Sequence, residues 1–120
     1  MSKTGSAAVA SVMLLALFAG EAAAFTGNEY RALTPLARLA YVVGVVDGWD
    51  MVSATSRTIE GSMPGWFGVY TDVLECMRSK GMSNGQVHAI VEKYVRENPA
   101  NWHARGSELV ALAMHEACKP

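Results

Sequence analysis

The sequence predicts an all-α fold, a small helical bundle whose C-terminal helical hairpin is clamped by a disulfide. Three observations carry this. Two amphipathic helical patterns run in succession from Ser83 to Ala117, the two cysteines of the chain, Cys76 and Cys118, bracket them, and a third helical pattern opens at Thr34-Pro35.

Residues 1–24 read as a signal peptide rather than as part of the fold. Lys3 is the positive n-region, Ala7 to Ala19 the apolar h-region, and Ala22-Ala23-Ala24 the small residues a signal peptidase needs, with cleavage expected before Phe25. The apolar run of about 13 residues is too short to cross a hydrocarbon core of ~30 Å, and Glu21 close behind it opposes the alternative of a retained anchor. No later stretch is apolar enough to span, so the mature chain is expected to be free of the membrane. Residues 25–120, about 96 of the 120, suffice for one domain with one modest core.

The formal net charge of −1 gives no electrostatic case for nucleic acid or an anionic membrane surface. Three histidines are too few and too scattered for metal binding, so neither a metal nor a cofactor is expected. Phe25 to Arg31 reads as a loose entry segment. The first long helix follows, with Thr34 as its cap and Pro35 at its first helical position, where a missing N–H costs nothing. Leu36, Leu39, Val43, Val46 and Met51 form one apolar stripe of that helix. Ala40, Gly44 and Gly48 form another, a ridge of small residues four apart. Glycine inside a helix costs roughly 1 kcal/mol against alanine, so two on one stripe predict another helix backbone packed close against it. A groove for a partner protein is the alternative.

From Ser56 to Tyr70 the helical pattern gives way to turn residues that carry Trp66, Phe67 and Tyr70. Two readings remain open for these aromatics, a lid on the core and a partner-binding surface, since Trp and Tyr are enriched in interface hot spots. Tyr70 to Met77 is expected to form a short helix leading into Cys76. Ser83 and Gln86 then make a capping box. Val87, Ile90, Val91, Tyr94 and Val95 recur on one face of the helix that follows, opposite Glu92, Lys93, Arg96 and Glu97. Asn98-Pro99 stops it, because the residue before a proline leaves the α region. The last helix starts at Gly106 or Ser107, with Leu109, Leu112 and Ala113 a turn apart. Antiparallel packing of these two helices brings Cys76 beside Cys118, and a bond there closes a loop of about 43 residues, worth on the order of 4 kcal/mol. Two unpaired thiols are the alternative; a metal site lacks the accompanying Cys-x-x-Cys spacing.

The residues predict no enzyme. His88, His103 and His115 have no dyad-forming neighbour, His115-Glu116 point apart on a helix, and no nucleophile elbow or phosphate loop is present. Asp47 and Asp50 read as solvated helix carboxylates.

Taken in order, Tyr41 to Gly48 (YVVGVVDG), Cys76, Gly81 to Val87 (GMSNGQV), Lys93-Tyr94, Asn98-Pro99 and a terminal Cys118 form a series that resembles the Rap/Tai family of small immunity proteins. The resemblance covers most of residues 25–120. Many members carry a further cysteine pair, in the first helix and the loop after it; here both are missing together. The resemblance implies an all-α periplasmic protein, often a homodimer, that binds and occludes a peptidoglycan amidase effector delivered by type VI secretion. The Gly61–Tyr70 loop, with Trp66, Phe67 and Tyr70, is the expected contact surface; Trp49 and Trp102 are alternative anchors. The competing class is a general envelope protein, an adaptor or stress chaperone with no amidase partner.

Overall fold

A computed structural model describes residues 25–56 and 65–120, apart from the side chain of Trp66; the expected signal peptide and the Gly61–Pro64 half of the loop lie outside these residues. Among them stand five α-helices: α1 (Gly27–Ala32), α2 (Pro35–Ser56), α3 (Gly68–Ser79), α4 (Asn84–Glu97) and α5 (Gly106–Ala117), with 3-10 turns at Gly65–Phe67 and Pro99–Asn101. The all-α expectation holds.

α1 replaces the loose entry segment expected from sequence. Its cause is a capping box at Thr26 and Glu29: the Thr26 backbone N–H donates to Glu29 Oε2 at 2.6 Å, and Thr26 Oγ1 accepts from the Glu29 N–H at 3.4 Å. The segment is also pinned from outside. Gly27 N–H donates to the Ala104 carbonyl and Asn28 N–H to that of Trp102, both at 2.9 Å, while Gly106 N–H donates to Phe25 O at 2.7 Å. Glycine is required at position 27, since a Cβ there would meet Leu109 Cδ1 and lie 2.9 Å from the Trp102 carbonyl oxygen.

α2 starts where the sequence places it, with Thr34 Oγ1 accepting from the Ala37 N–H at 3.3 Å, and runs on to Ser56. Its buried face, however, matches the predicted one only in part. Val42 is fully buried, Ser53 is buried, and Tyr41, Val45, Val46 and Trp49 pack around the core, whereas Leu36 is 76% and Met51 66% exposed. The reason is compositional: apolar residues fall on every side of this helix, so periodicity selects no face.

The small-residue ridge also departs from expectation. Ala40 and Gly44 are exposed and Gly48 half-buried. Nothing among the described residues lies within 4 Å of a Cβ built at Gly44 or Gly48. Among the described residues no helix fills the ridge at these two glycines.

The expected helix into Cys76 is α3, longer at both ends than Tyr70–Met77. It closes in a Schellman turn at Gly81, which has φ +59°: Met82 N–H donates to Met77 O at 3.0 Å and Gly81 N–H to Arg78 O at 3.1 Å. α4 begins as read, Ser83 Oγ accepting from the Gln86 N–H at 3.2 Å and Gln86 Oε1 from the Ser83 N–H at 2.8 Å. Val87, Val91 and Val95 are buried, with Ile90 and Tyr94 half-buried beside them. α5 packs against α4 as the hairpin, contributing Leu109, Val110, Ala113 and Met114 to the core, while Leu112 turns outward at 38% exposed. Cys76 and Cys118 form a disulfide with Cα atoms 6.0 Å apart. It joins α3, one turn from its end, to the residue that ends α5, and so fixes one edge of the hairpin to the helix before it.

Candidate partner-binding surface

Of the three aromatics expected to bind a partner, the side chains of Phe67 and Tyr70 are described, and they differ in exposure. The backbone of Trp66 lies in the Gly65–Phe67 turn. Phe67 is 5% exposed and turned inward, its ring 5.6 Å from that of Tyr70, so it lids the core and offers no contact surface. Tyr70 is half-buried, with the Trp49 ring 5.1 Å away. Its remaining surface faces a groove.

This groove runs between α3 and α5. It measures about 350 Å³ and is lined by Val69, Tyr70, Glu108, Ala111, Leu112 and His115. Val69 is 44% and Leu112 38% exposed, so its two large aliphatic walls are open to solvent. Val69 stands in the first turn of α3, one turn before buried Val73, and Leu112 lies off the face by which α5 buries Leu109, Val110, Ala113 and Met114. Glu108 and His115 rim the same groove. Cys76–Cys118 holds its two helices together near one end. Sequence reasoning reached Tyr70 but missed Val69 and Leu112. Leu112 is three residues from Leu109 and was therefore placed on the buried side, although α5 turns Ala113 and Met114 inward instead.

Trp49 and Trp102 pack at the margin of the core rather than standing free. The Trp102 indole N–H donates to the Val95 carbonyl at 2.7 Å, which fixes the ring. Asp50, read as a solvated carboxylate, pairs with Arg78.

One polar cluster is tied into the core. Tyr30, 2% exposed, donates its hydroxyl to Glu92 Oε1 at 2.6 Å. Arg38 Nη1 lies 3.3 Å from Glu92 Oε2 and His88 Nε2 3.4 Å from Oε1. Burial, then the hydrogen bond to Glu92 and its negative charge, raise the Tyr30 pKa well above the ordinary phenol value. Burial also raises that of Tyr41. Tyr30 is thus a neutral donor that ties α1 to α4, while the Tyr41 oxygen accepts from the Ser107 backbone N–H of α5. Among the described residues no set of three His, Cys, Asp or Glu is placed to hold a metal ion, and no helix is long and apolar enough to cross a membrane.

No curated protein and no solved structure matches the chain. A family model does, and over nearly all of the domain: the model for Rap1a immunity proteins aligns with residues 23–118. That span includes the capping boxes of α1 and α4, the α2 stripe, the α4–α5 hairpin and both bonded cysteines. The chain belongs to the Rap1a immunity protein family.

Proposed function

We propose that the mature chain is a periplasmic immunity protein that binds and occludes a peptidoglycan amidase delivered by type VI secretion. Family membership supports a toxin effector as partner. The signal-peptide pattern of residues 1–24 and a structural disulfide, a bond that persists in oxidising compartments, support export. The single observation that carries the docking site is the α3–α5 groove. Two exposed aliphatic residues, Val69 and Leu112, flank a half-buried tyrosine, with ionisable side chains at the rim. An apolar centre with a polar margin is the anatomy of a protein interface. Inhibition follows from occlusion, a rigid body seated over the enzyme's cleft, and needs no chemistry from this chain.

Titration of the mature protein against candidate amidases, with peptidoglycan hydrolysis as readout, tests this. Leu112→Asp places a charge in the groove centre and is expected to weaken inhibition at least about 30-fold, the scale of an interface hot spot, with the helical circular-dichroism signal unchanged. Full inhibition by this variant refutes the groove. Failure of the wild type to inhibit any amidase, together with dye binding on acidification, favours the stress-chaperone class.

The outer stripe of α2 supports a second copy of the chain as a further partner. Ala40, Gly44 and Gly48 are flanked by Leu36 and Val52, both exposed, and the pattern is self-complementary about Gly44. An antiparallel crossing at that point sets Gly44 against its twin, Ala40 against Gly48 and Leu36 against Val52, the isologous arrangement of a two-fold dimer. The stripe of a 22-residue helix, about 33 Å long and ~11 Å wide, offers on the order of 350 Å² per copy, under half of the ~800 Å² of a standard interface. The dimer is accordingly weak and concentration-dependent.

A further inference from the structure

On the side of the molecule formed by α1, α2 and α4, a cleft of about 340 Å³ is lined by Arg31, Arg38, Glu92, Val95, Arg96 and Trp102. Three guanidinium groups from three different helices thus share one cleft with one carboxylate. Glu92 is already engaged, accepting from the Tyr30 hydroxyl and pairing with Arg38. Arg38 Nε is buried without an acceptor, a sign that the cluster is short of acceptors. Arg31 and Arg96 have no ion-pair partner among the described residues.

Arg31 is positioned rather than trailing. Its guanidinium carbon lies 3.2 Å from the centroid of the Trp102 ring, and that ring is held by its N–H bond to Val95 O. A guanidinium stacked on an aromatic face keeps the N–H donors of its edge for in-plane acceptors. Arg31 and Arg96 stand in the last turns of α1 and α4, where cations complement the helix dipole. That effect accounts for basic residues there, and leaves unexplained both the tryptophan platform and the convergence with Arg38.

We propose that this cleft is a carboxylate-binding site, with Arg31 and Arg96 as the pair of donors and Trp102 as its apolar wall. The planar fork of arginine matches a carboxylate in two parallel N–H···O bonds. A monoanion is favoured over phosphate because Glu92 forms part of the wall and repels a second negative charge. Val95 and Trp102 supply apolar surface for the stem that bears the carboxylate, so the ligand is an organic acid or an acidic side chain rather than a bare ion. The site is on a different side from the α3–α5 groove, and its existence does not rest on the amidase reading.

The test uses the isotope-labelled mature protein and follows the Trp102 indole N–H resonance, assigned with Trp102→Phe, during titration at constant ionic strength. The probes are glutarate, a capped Ala-Glu-Ala peptide, inorganic phosphate and sodium chloride. Saturable shifts with glutarate and the peptide are expected, weakened about tenfold or more in Arg31→Gln and in Arg96→Gln, the loss typical of a charge-assisted hydrogen bond. Both arginines are exposed, so the fold survives, and circular dichroism confirms it. Tighter binding of glutarate identifies a free dicarboxylate as the ligand, and tighter binding of the peptide identifies a protein side chain. No saturable shift, phosphate binding as tight as carboxylate, or unchanged affinity in both variants overturns the assignment.

Discussion

Replacing Gly44 with alanine should make this protein more stable, an unusual expectation for a glycine in the middle of a long helix. A Cβ at Gly44 meets nothing within 4 Å among the described residues, so no packing is lost. The gain is the helix-propensity difference, about 0.8–1.0 kcal/mol, because glycine surrenders more backbone freedom on folding than alanine does. For a domain of this size 1 kcal/mol moves the midpoint by roughly 4–8 °C. Thermal unfolding at low micromolar concentration, where the monomer dominates, is therefore expected to shift upward by about 4 °C, and Gly44→Ala/Gly48→Ala by close to twice that. At high concentration the sign of the effect on self-association is opposite. Gly44→Leu fills the ridge and should abolish the proposed dimer, with sedimentation as the readout, while leaving the monomer at least as stable as the wild type. A lowered midpoint for the dilute alanine variant would refute the reasoning, since it would mean that the ridge touches another part of the chain.

Two further outcomes follow from the covalent and polar ties. Cys118→Ser, or reduction of the wild type, should cost about 4 kcal/mol from a total of about 5–15 kcal/mol, read as a lowered urea midpoint; equal midpoints with and without reductant would remove the clamp from the account. Tyr30 gives a pH signature. Its folded pKa lies above its unfolded value of 10.0, so the folded state holds the proton longer. The stability it contributes is complete below about pH 10 and falls by up to ~1.4 kcal/mol per pH unit above it, as the unfolded chain ionises first. Tyr30→Phe should flatten that alkaline slope in urea titrations. It should also lower stability at neutral pH, by about 1.5–3 kcal/mol for a lost bond to a charged group; a slope that survives the substitution would assign it to another group.

How far the sequence reveals this fold depends on how sharply each helix divides its faces. α4 has three buried valines at i, i+4 and i+8 opposite charged residues, and its capping box fixes its start, so helix, boundary and core face are all readable. The cysteines are readable for a related reason, because a hairpin of known length determines which ends meet. α2 is the opposite case. Leu36 and Met51 are as apolar as Val42 and Val45, and only the packing of α3, α4 and α5 against this helix decides which of them is covered. α1 was missed although Thr26 and Glu29 carry the same signal as Ser83 and Gln86. Its six residues are too few for periodicity, and its backbone contacts with residues 102–106 are tertiary. The candidate surface was half legible. Tyr70 stands on it, but Phe67, the last residue of the 3-10 turn and the one just before α3, is turned inward.

The arrangement separates holding the fold from offering a surface. The core is completed by Tyr30, Val42, three valines of α4 and four residues of α5, with the disulfide bracing its outer edge. None of these is needed on the outside. Among the described residues, the faces left open include the smooth ridge of α2, the aliphatic groove between α3 and α5, and the arginine cleft beside Trp102. In an enzyme, exposed apolar side chains such as Leu36, Met51 and Val69 would be a solubility liability with no return. In a protein whose task is to be bound, they are the means of being recognised, and their persistence beside a fully packed core argues for recognition. The family implies a toxin effector as partner, and the groove proposed to receive it is already braced by the disulfide, so that docking there would cost little further entropy.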